Sequence, residues 1–117
     1  MTLKKSKAWN IFSKYIRARD KGICFTCGKR DDPQNMDAGH FRHNRSSVFF
    51  DEWNVHAQCT KCNRFLHGNL GDYALRLEDK IGRKALDELI KKSYQIKKWK
   101  PRELKELELK YKKLLNK

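Results

Sequence analysis

The sequence contains no long apolar run, and acidic side chains are scarce relative to basic ones. Of 117 residues, 38% are hydrophobic and 36% are charged, with 28 Lys and Arg against 14 Asp and Glu. No segment has the length and apolarity of a transmembrane helix, and the N-terminal sequence Met1-Thr-Leu-Lys-Lys has no signal-peptide core. We therefore expect a cytoplasmic protein with no membrane partner.

The shortage of negative charge also indicates the class of partner. The net charge is +14 at neutral pH. On a chain of this size, such an excess favours a polyanion, and nucleic acid is the commonest one. The low apolar content predicts a thin core, and small domains of this kind commonly need a bound metal or an oligomer interface for stability.

The four cysteines form two Cys-x-x-Cys pairs, Cys24–Cys27 and Cys59–Cys62. Four cysteines also allow two disulfides, in three possible connectivities. Thiols stay reduced in the cytoplasm, however, and each pair presents two thiolates from one tight turn, as tetrahedral zinc requires. Gly28 suits such a turn because it adopts positive φ easily. We therefore expect structural zinc, and a redox Cys-x-x-Cys would not need a second pair.

The first half of the chain predicts a mixed α+β unit. Aromatic and apolar residues at helical spacing predict an amphipathic helix over Lys7–Asp20. Two short strands are predicted at Met36–Phe41 and Val48–Phe50, joined by the polar loop 42–47. Cys59–Leu66 then has the pattern of a short helix. Zinc would hold the hairpin against that helix, so the unit is expected to be a ββα finger around metal.

The second half predicts helices, so the fold class is α+β and mostly helical. Apolar stripes on either side of Gly82 indicate two helical segments after Gly68, and a last helix begins at Pro101. The last helix carries a heptad-like seam formed by Leu104, Leu107, Tyr111 and Leu114. The seam is too short to establish a coiled coil, and it suits packing on the rest of this chain or on a second subunit equally. We expect residues 1–70 to form the zinc-bound core and 71–117 a basic extension for DNA binding or dimerisation.

One histidine lies where phosphodiester chemistry would need a base. Hydrolysis requires a base for water, a cation near the leaving oxygen and anchors for phosphate. A neutral imidazole is the commonest base near neutral pH. A lone histidine is more often structural, but His40 lies at the predicted hairpin between the two cysteine pairs, and that position favours a catalytic role.

The order of these residues resembles the HNH, or His-metal-finger, nucleases. The pattern is a Cys pair, a His, an Asn five residues before a second Cys pair, and an Asn directly after the last Cys. The zinc-containing branch, which includes the phage endonuclease VII resolvases, is similar in its core. The lambdoid phage NinG/Rap recombination nucleases are similar over roughly residues 8–115. The longer resemblance lies in these segments: Tyr15–Asp20, Ala38–Phe41, Glu52–His56, Gln58–Cys59, Cys62–Asn63 and Gly68–Leu70.

The resemblance implies a role for each matching residue. His40 matches the general base that activates water. Asn54 matches the middle Asn, which braces the loop and orients the His backbone. Asn63 matches the last position of the motif, which ligates a catalytic divalent cation. The four cysteines match the structural zinc ligands, and the catalytic cation is expected to be Mg²⁺ or Mn²⁺, which prefer oxygen ligands.

One position departs from the family pattern. Many of these nucleases have an acidic ligand directly before the catalytic His, whereas this chain has Gly39. Asp37 would point away from His40 on a regular strand, unless a bulge at Gly39 brings it round. His67 is four residues after Asn63 and would share its face on a continuous helix. The second ligand stays open between Asp37 and His67, and the further candidates are Asp51, Glu52 and His56.

The expected substrate follows from the charge and from the resemblance. Arg42, Arg45, Lys61 and Arg64 lie near His40 and Asn63 in sequence and are the candidate phosphate anchors. The resemblance implies a phage-encoded endonuclease acting on Holliday junctions and related branches such as D-loops. Resolving a four-way junction takes two opposed nicks, so a homodimer with two active sites is expected. The alternatives are a general HNH nicking or double-strand-cutting enzyme, and a zinc-stapled DNA-binding module without catalysis.

Overall fold

The computed structural model describes residues 2–117, and the fold is a helix-rich α+β arrangement with one small sheet. Along the chain, one helix comes first, the two strands of an antiparallel sheet follow, and two helices complete the fold. The elements in chain order are α1 (Lys7–Arg19), β1 (Asp37–His40), β2 (Val55–Gln58), α2 (Leu70–Ser93) and α3 (Pro101–Leu115). No helix in the described part of the chain is long and apolar enough to cross a membrane.

Helix α1 forms where the sequence predicted it. The Ser6 side chain caps it by accepting a hydrogen bond from the backbone N–H of Trp9 at 3.1 Å. Ala8, Phe12 and Ile16 are buried and spaced by four residues, which gives the helix one apolar face. The predicted range Lys7–Asp20 is therefore confirmed to within its last residue.

The predicted second strand is wrong, because residues 46–48 form a 3₁₀ turn instead. That turn directs Val48 towards α2, whereas Phe49 and Phe50 pack towards α1, so three buried residues in succession serve two different clusters. The partner of β1 is Val55–Gln58, in a continuous register from Asp37 opposite Gln58 to His40 opposite Val55. This regular register also means that Gly39 creates no bulge.

The C-terminal helices form as predicted, and they pack on the rest of the chain. Gly82, at φ 86° and ψ 161°, interrupts α2 between its two apolar stripes. Helix α3 lies on α1, where the Tyr111 ring contacts Phe12 with centroids 4.8 Å apart and Leu104 is also buried. Leu107 and Leu114 pack against the same cluster. The heptad-like seam is therefore used within the chain.

Three small clusters form the core. The first joins α1, α3, Val55 and the Phe49–Phe50 pair. The second joins α2 to Phe41 and Val48. The third contains three cysteines with Met36 and Ala57. The β1–β2 hairpin lies where the three clusters meet, so residues at the end of β1 are held from several sides.

Candidate functional site

The two cysteine pairs meet in one cluster. All four Sγ atoms lie within 4.8 Å of one another. The first pair lies on a tight turn closed by a 2.8 Å hydrogen bond from Gly28 N to Cys24 O, with Gly28 at φ 82°. The second pair follows β2 directly. The four cysteines are free thiols and form no disulfide, and the donor set suits tetrahedral zinc.

The electrostatics of this cluster favour a bound cation. Burial and neighbouring sulfurs raise the pKa of Cys27 to about 12, and burial also raises the pKa of Cys59. Against the effect of burial, hydrogen bonds from the Thr26 side chain and from the backbone lower the pKa of Cys24 to about 6. Four thiolates so close together repel one another, and a divalent metal removes that repulsion by direct coordination.

His40 is the last residue of β1 and is buried in an aromatic pocket. Its ring stacks on Trp9 with centroids 4.9 Å apart and an interplanar angle of 17°, and it also contacts Phe49. Nε2 lies 3.1 Å from the Phe49 carbonyl oxygen. Because a carbonyl only accepts, Nε2 carries the proton and Nδ1 is left with its lone pair. Burial lowers the pKa of His40 to about 4, so the ring is neutral at pH 7.

Asn54 holds the loop between the two strands through its side chain. It is fully buried, and Oδ1 accepts a hydrogen bond from Arg42 N at 2.8 Å. Nδ2 donates to Val48 O at 3.0 Å and to Arg42 O at 3.3 Å. The amide therefore fixes the backbone on both sides of the loop that follows His40.

Asp37 and Asn63 lie together on the other face of β1. Asn63 Nδ2 donates to Asp37 Oδ2 at 3.1 Å, and the Arg64 guanidinium pairs with both oxygens of the same carboxylate at 2.9 and 3.0 Å. Asn63 belongs to a single wide helical turn, Lys61–Phe65, which includes Cys62 of the second cysteine pair. Asp37 begins β1 and His40 ends it, and strand alternation directs their side chains to opposite faces.

The other candidate ligands do not join this pair. His67 is exposed and has φ of 52°, because the helical turn ends at Phe65; the assumption that it shares a helix face with Asn63 is therefore wrong. Asp51 accepts from Trp53 N at 2.9 Å, and Glu52 accepts from the hydroxyl of Tyr111 at 2.9 Å. His56 is fully buried and stacks on a phenylalanine ring at 3.9 Å.

The predicted phosphate anchors are divided over the surface. Arg42 and Arg45 both lie over the exposed Tyr94 ring, with guanidinium carbons 5.2 and 5.0 Å from its centroid. Lys61 is exposed between Cys59 and Cys62, while Arg64 is engaged with Asp37. Two further cations that the sequence analysis missed, Lys4 and Lys5, border an open groove of about 470 Å³ that Phe49 also lines, next to His40.

Three residues that build this site were not foreseen from the sequence. Trp9 supplies the stacking surface for His40. The Tyr73 hydroxyl donates to Gly39 O at 2.7 Å and lies 3.1 Å from His56 Nδ1, so it anchors the strand before the base. Gln58, opposite Asp37 in the sheet, is fully buried. Only helical spacing signalled Trp9 and Tyr73, and that signal indicates core packing.

Comparison with known proteins gives one family. The family model described as Bacteriophage Lambda NinG protein matches residues 2–117. The proteins named Protein ninG from Escherichia phage 933W, Salmonella phage P22 and Escherichia phage lambda are 35%, 35% and 34% identical to this chain over 108 residues. These alignments cover 90% of this chain and 53%, 52% and 52% of the relatives. The chain thus spans about half the length of the curated relatives it matches. No solved structure matches the chain.

Proposed function

The chain belongs to the NinG family of bacteriophage proteins, and on that premise we propose that it is a metal-dependent, structure-selective DNA endonuclease. Its proposed substrates are Holliday junctions and other branched recombination intermediates. The observation that carries the proposal is the state of His40: a neutral imidazole whose Nε2 is fixed by a carbonyl and whose Nδ1 has no hydrogen-bond partner among residues 2–117.

His40 has the properties of a general base for water. Its tautomer is set by the Phe49 carbonyl and its ring plane by Trp9, so Nδ1 keeps one orientation. A pKa of about 4 leaves almost all of the imidazole unprotonated at neutral pH. A base of this kind typically accelerates a reaction by about 10²–10⁴-fold. Asn54 supports it by holding the backbone that follows the ring.

The local architecture supports a ββα-metal arrangement. Two strands and a helical turn follow in order, and the four-cysteine cluster joins the turn to the sheet. The Asp37 carboxylate, which accepts a 3.1 Å hydrogen bond from Asn63 Nδ2, and the Asn63 Oδ1 atom beside Gly39 supply oxygens of the kind that suit Mg²⁺ or Mn²⁺. Such a cation, when bound, stabilises negative charge on the leaving oxygen. Asn63 Oδ1 approaches β1 at Gly39, the residue directly before His40.

The charge distribution supports DNA as the substrate. Lys4 and Lys5 line the groove beside the aromatic pocket of His40, and the Arg42–Tyr94–Arg45 stack presents two further cations and an aromatic face. These groups contact phosphate and bases of any sequence, so recognition of backbone and shape is expected. Resolution of a four-way junction by paired nicks would need a homodimer, whose interface must lie outside the α3 seam.

The test is cleavage of a matched set of DNA substrates. Zinc-loaded protein is incubated with a four-way junction, its linear duplex arm and single-stranded DNA, with Mg²⁺ or with chelator, and the cuts are mapped. Metal-dependent nicks near the branch, with duplex spared, are expected. Equal cutting of duplex would favour a general HNH nuclease, and binding without cleavage under every condition would favour a zinc-stapled DNA-binding module.

His40→Gln is the sharpest variant for this assay. Its amide nitrogen can still donate to Phe49 O, but it has no basic lone pair, so cleavage should fall by about 10²-fold or more while junction affinity stays within twofold. Gln34→Ala, on an exposed turn, is the surface control. Cleavage by His40→Gln at the rate of the unmodified chain would refute the assignment of the base.

A further inference from the structure

Gly39 occupies the position where related nucleases have an acidic ligand, and the space beside it is filled. A Cβ atom on Gly39 would lie 1.9 Å from Gln58 Oε1 and 2.9 Å from Asn63 Oδ1. Two side-chain oxygens therefore lie within 3 Å of the same point. The absence of a side chain at Gly39 is what allows the Gln58 amide to approach the strand there.

The orientation of the Gln58 amide is fixed by its other end. Nε2 donates to Gly68 O at 2.8 Å and lies 3.2 Å from Thr26 Oγ1. The Gly68 carbonyl only accepts, so an exchanged amide would place oxygen against oxygen. Oε1 consequently faces Gly39 and Asn63, and it is a fully buried acceptor without a hydrogen-bond partner.

A buried carbonyl oxygen without a hydrogen-bond partner destabilises the fold, so a partner is expected for it. The neighbouring groups supply further oxygens: Asn63 Oδ1 is adjacent, and Asn63 Nδ2 donates to the Asp37 carboxylate, which also pairs with Arg64. Asp37 is also directly opposite Gln58 in the sheet. Amide and carboxylate oxygens together are the donor set of hard divalent cations.

We propose that Gln58 Oε1 is a third oxygen ligand of the divalent cation held by Asp37 and Asn63, taking the place of the acid that the chain lacks at Gly39. The assignment rests on the proposed metal-dependent function. It accounts for three features at once: the glycine, the orphaned oxygen and the fixed direction of the amide.

The test measures Mn²⁺ binding to zinc-loaded protein without DNA, by electron paramagnetic resonance of free Mn²⁺. Gln58→Met and Gln58→Glu both remove the donors to Gly68 and Thr26, but only Gln58→Glu keeps an oxygen beside Gly39. Gln58→Met should weaken Mn²⁺ binding by about tenfold or more, since even outer-shell losses reach that size. Gln58→Glu should bind Mn²⁺ at least as tightly as the unmodified chain.

The controls separate a ligand from a packing residue. Gln34→Met should leave Mn²⁺ affinity unchanged, and the Co²⁺–thiolate absorption of the cysteine site reports whether each variant is folded. Equal weakening in both Gln58 variants, or no weakening in Gln58→Met, would overturn the assignment. If Asp37→Asn abolishes Mn²⁺ binding and Gln58→Met does not, the metal site stands and only this ligand is wrong. Absence of Mn²⁺ binding by the unmodified chain would also overturn it, and junction cleavage in Mg²⁺ then decides separately on the nuclease.

Discussion

Two histidines held neutral inside the fold should make it strongly sensitive to mild acid. Burial lowers the pKa of His40 to about 4 and that of His56 to about 3. Both values lie below the roughly 6.5 expected in the unfolded chain. As the pH falls, the unfolded chain therefore takes up protons first. The stability that both neutral rings contribute is complete above a pH of about 6.5 and is lost as the pH falls towards 4.

The size of the effect follows from the interval between these pKa values. One unit corresponds to about 1.4 kcal/mol, and a pH of about 5 lies roughly 1.5 units below the unfolded value, so each histidine should account for about 2 kcal/mol. Going from a pH of about 7.5 to about 5 should then lower the free energy of unfolding by about 4 kcal/mol. That is a large part of the roughly 5–15 kcal/mol typical of a folded domain.

The assay is urea denaturation at several pH values in buffers with constant excess zinc, for the unmodified chain, His40→Gln and His56→Asn. Each substitution removes a titrating ring and can keep its hydrogen bond, to Phe49 O in one case and to the Tyr73 hydroxyl in the other. Each variant should lose about 2 kcal/mol less between the two pH values. Protonation of the zinc ligands affects all three proteins alike and cancels in the comparison. The same pH dependence in all three would refute the reasoning.

Two further predictions concern what holds the site together. Removal of zinc by a chelator should unfold the hairpin region, because the third core cluster adds only Met36 and Ala57 to its cysteines. The binding free energy of structural zinc is about 10–16 kcal/mol in small domains. An unchanged circular dichroism spectrum after complete loss of zinc would contradict this prediction. Tyr73→Phe should lower the free energy of unfolding, measured with urea, by about 1–3 kcal/mol, because Gly39 O and His56 lose their common hydrogen-bond partner. Tyr94→Phe on the surface should lower it by less than about 0.5 kcal/mol.

The features predicted from the sequence were those with local signals. Helical spacing located α1 and both halves of α2, Pro101 marked the start of α3, and paired Cys-x-x-Cys spacing predicted the four-thiol cluster. Each of these signals depends on residues close together in the chain, or on a ligand spacing that few structures other than metal sites require.

The second strand was missed because both of its faces are covered. Val55–Gln58 is buried at all four positions, so it shows no alternation, and it includes a His and a Gln that suggest a surface. Phe49 and Phe50 attracted the strand prediction because they are apolar, yet they end a turn. The contact of Gln58 with Gly39 joins residues far apart in sequence, so no local pattern signals it.

The close approach at Gly39 also limits how this part of the sequence can change over time. With a Cβ only 1.9 Å from Gln58 Oε1, a side chain on residue 39 would force the Gln58 amide out of its present position. An acid at the first position requires a smaller residue at the second, and either change alone gives a clash or a void. Across the family, the two positions are therefore expected to covary, with glycine paired to glutamine and an acid paired to a short side chain. Lineages would pass between these pairs by two linked substitutions.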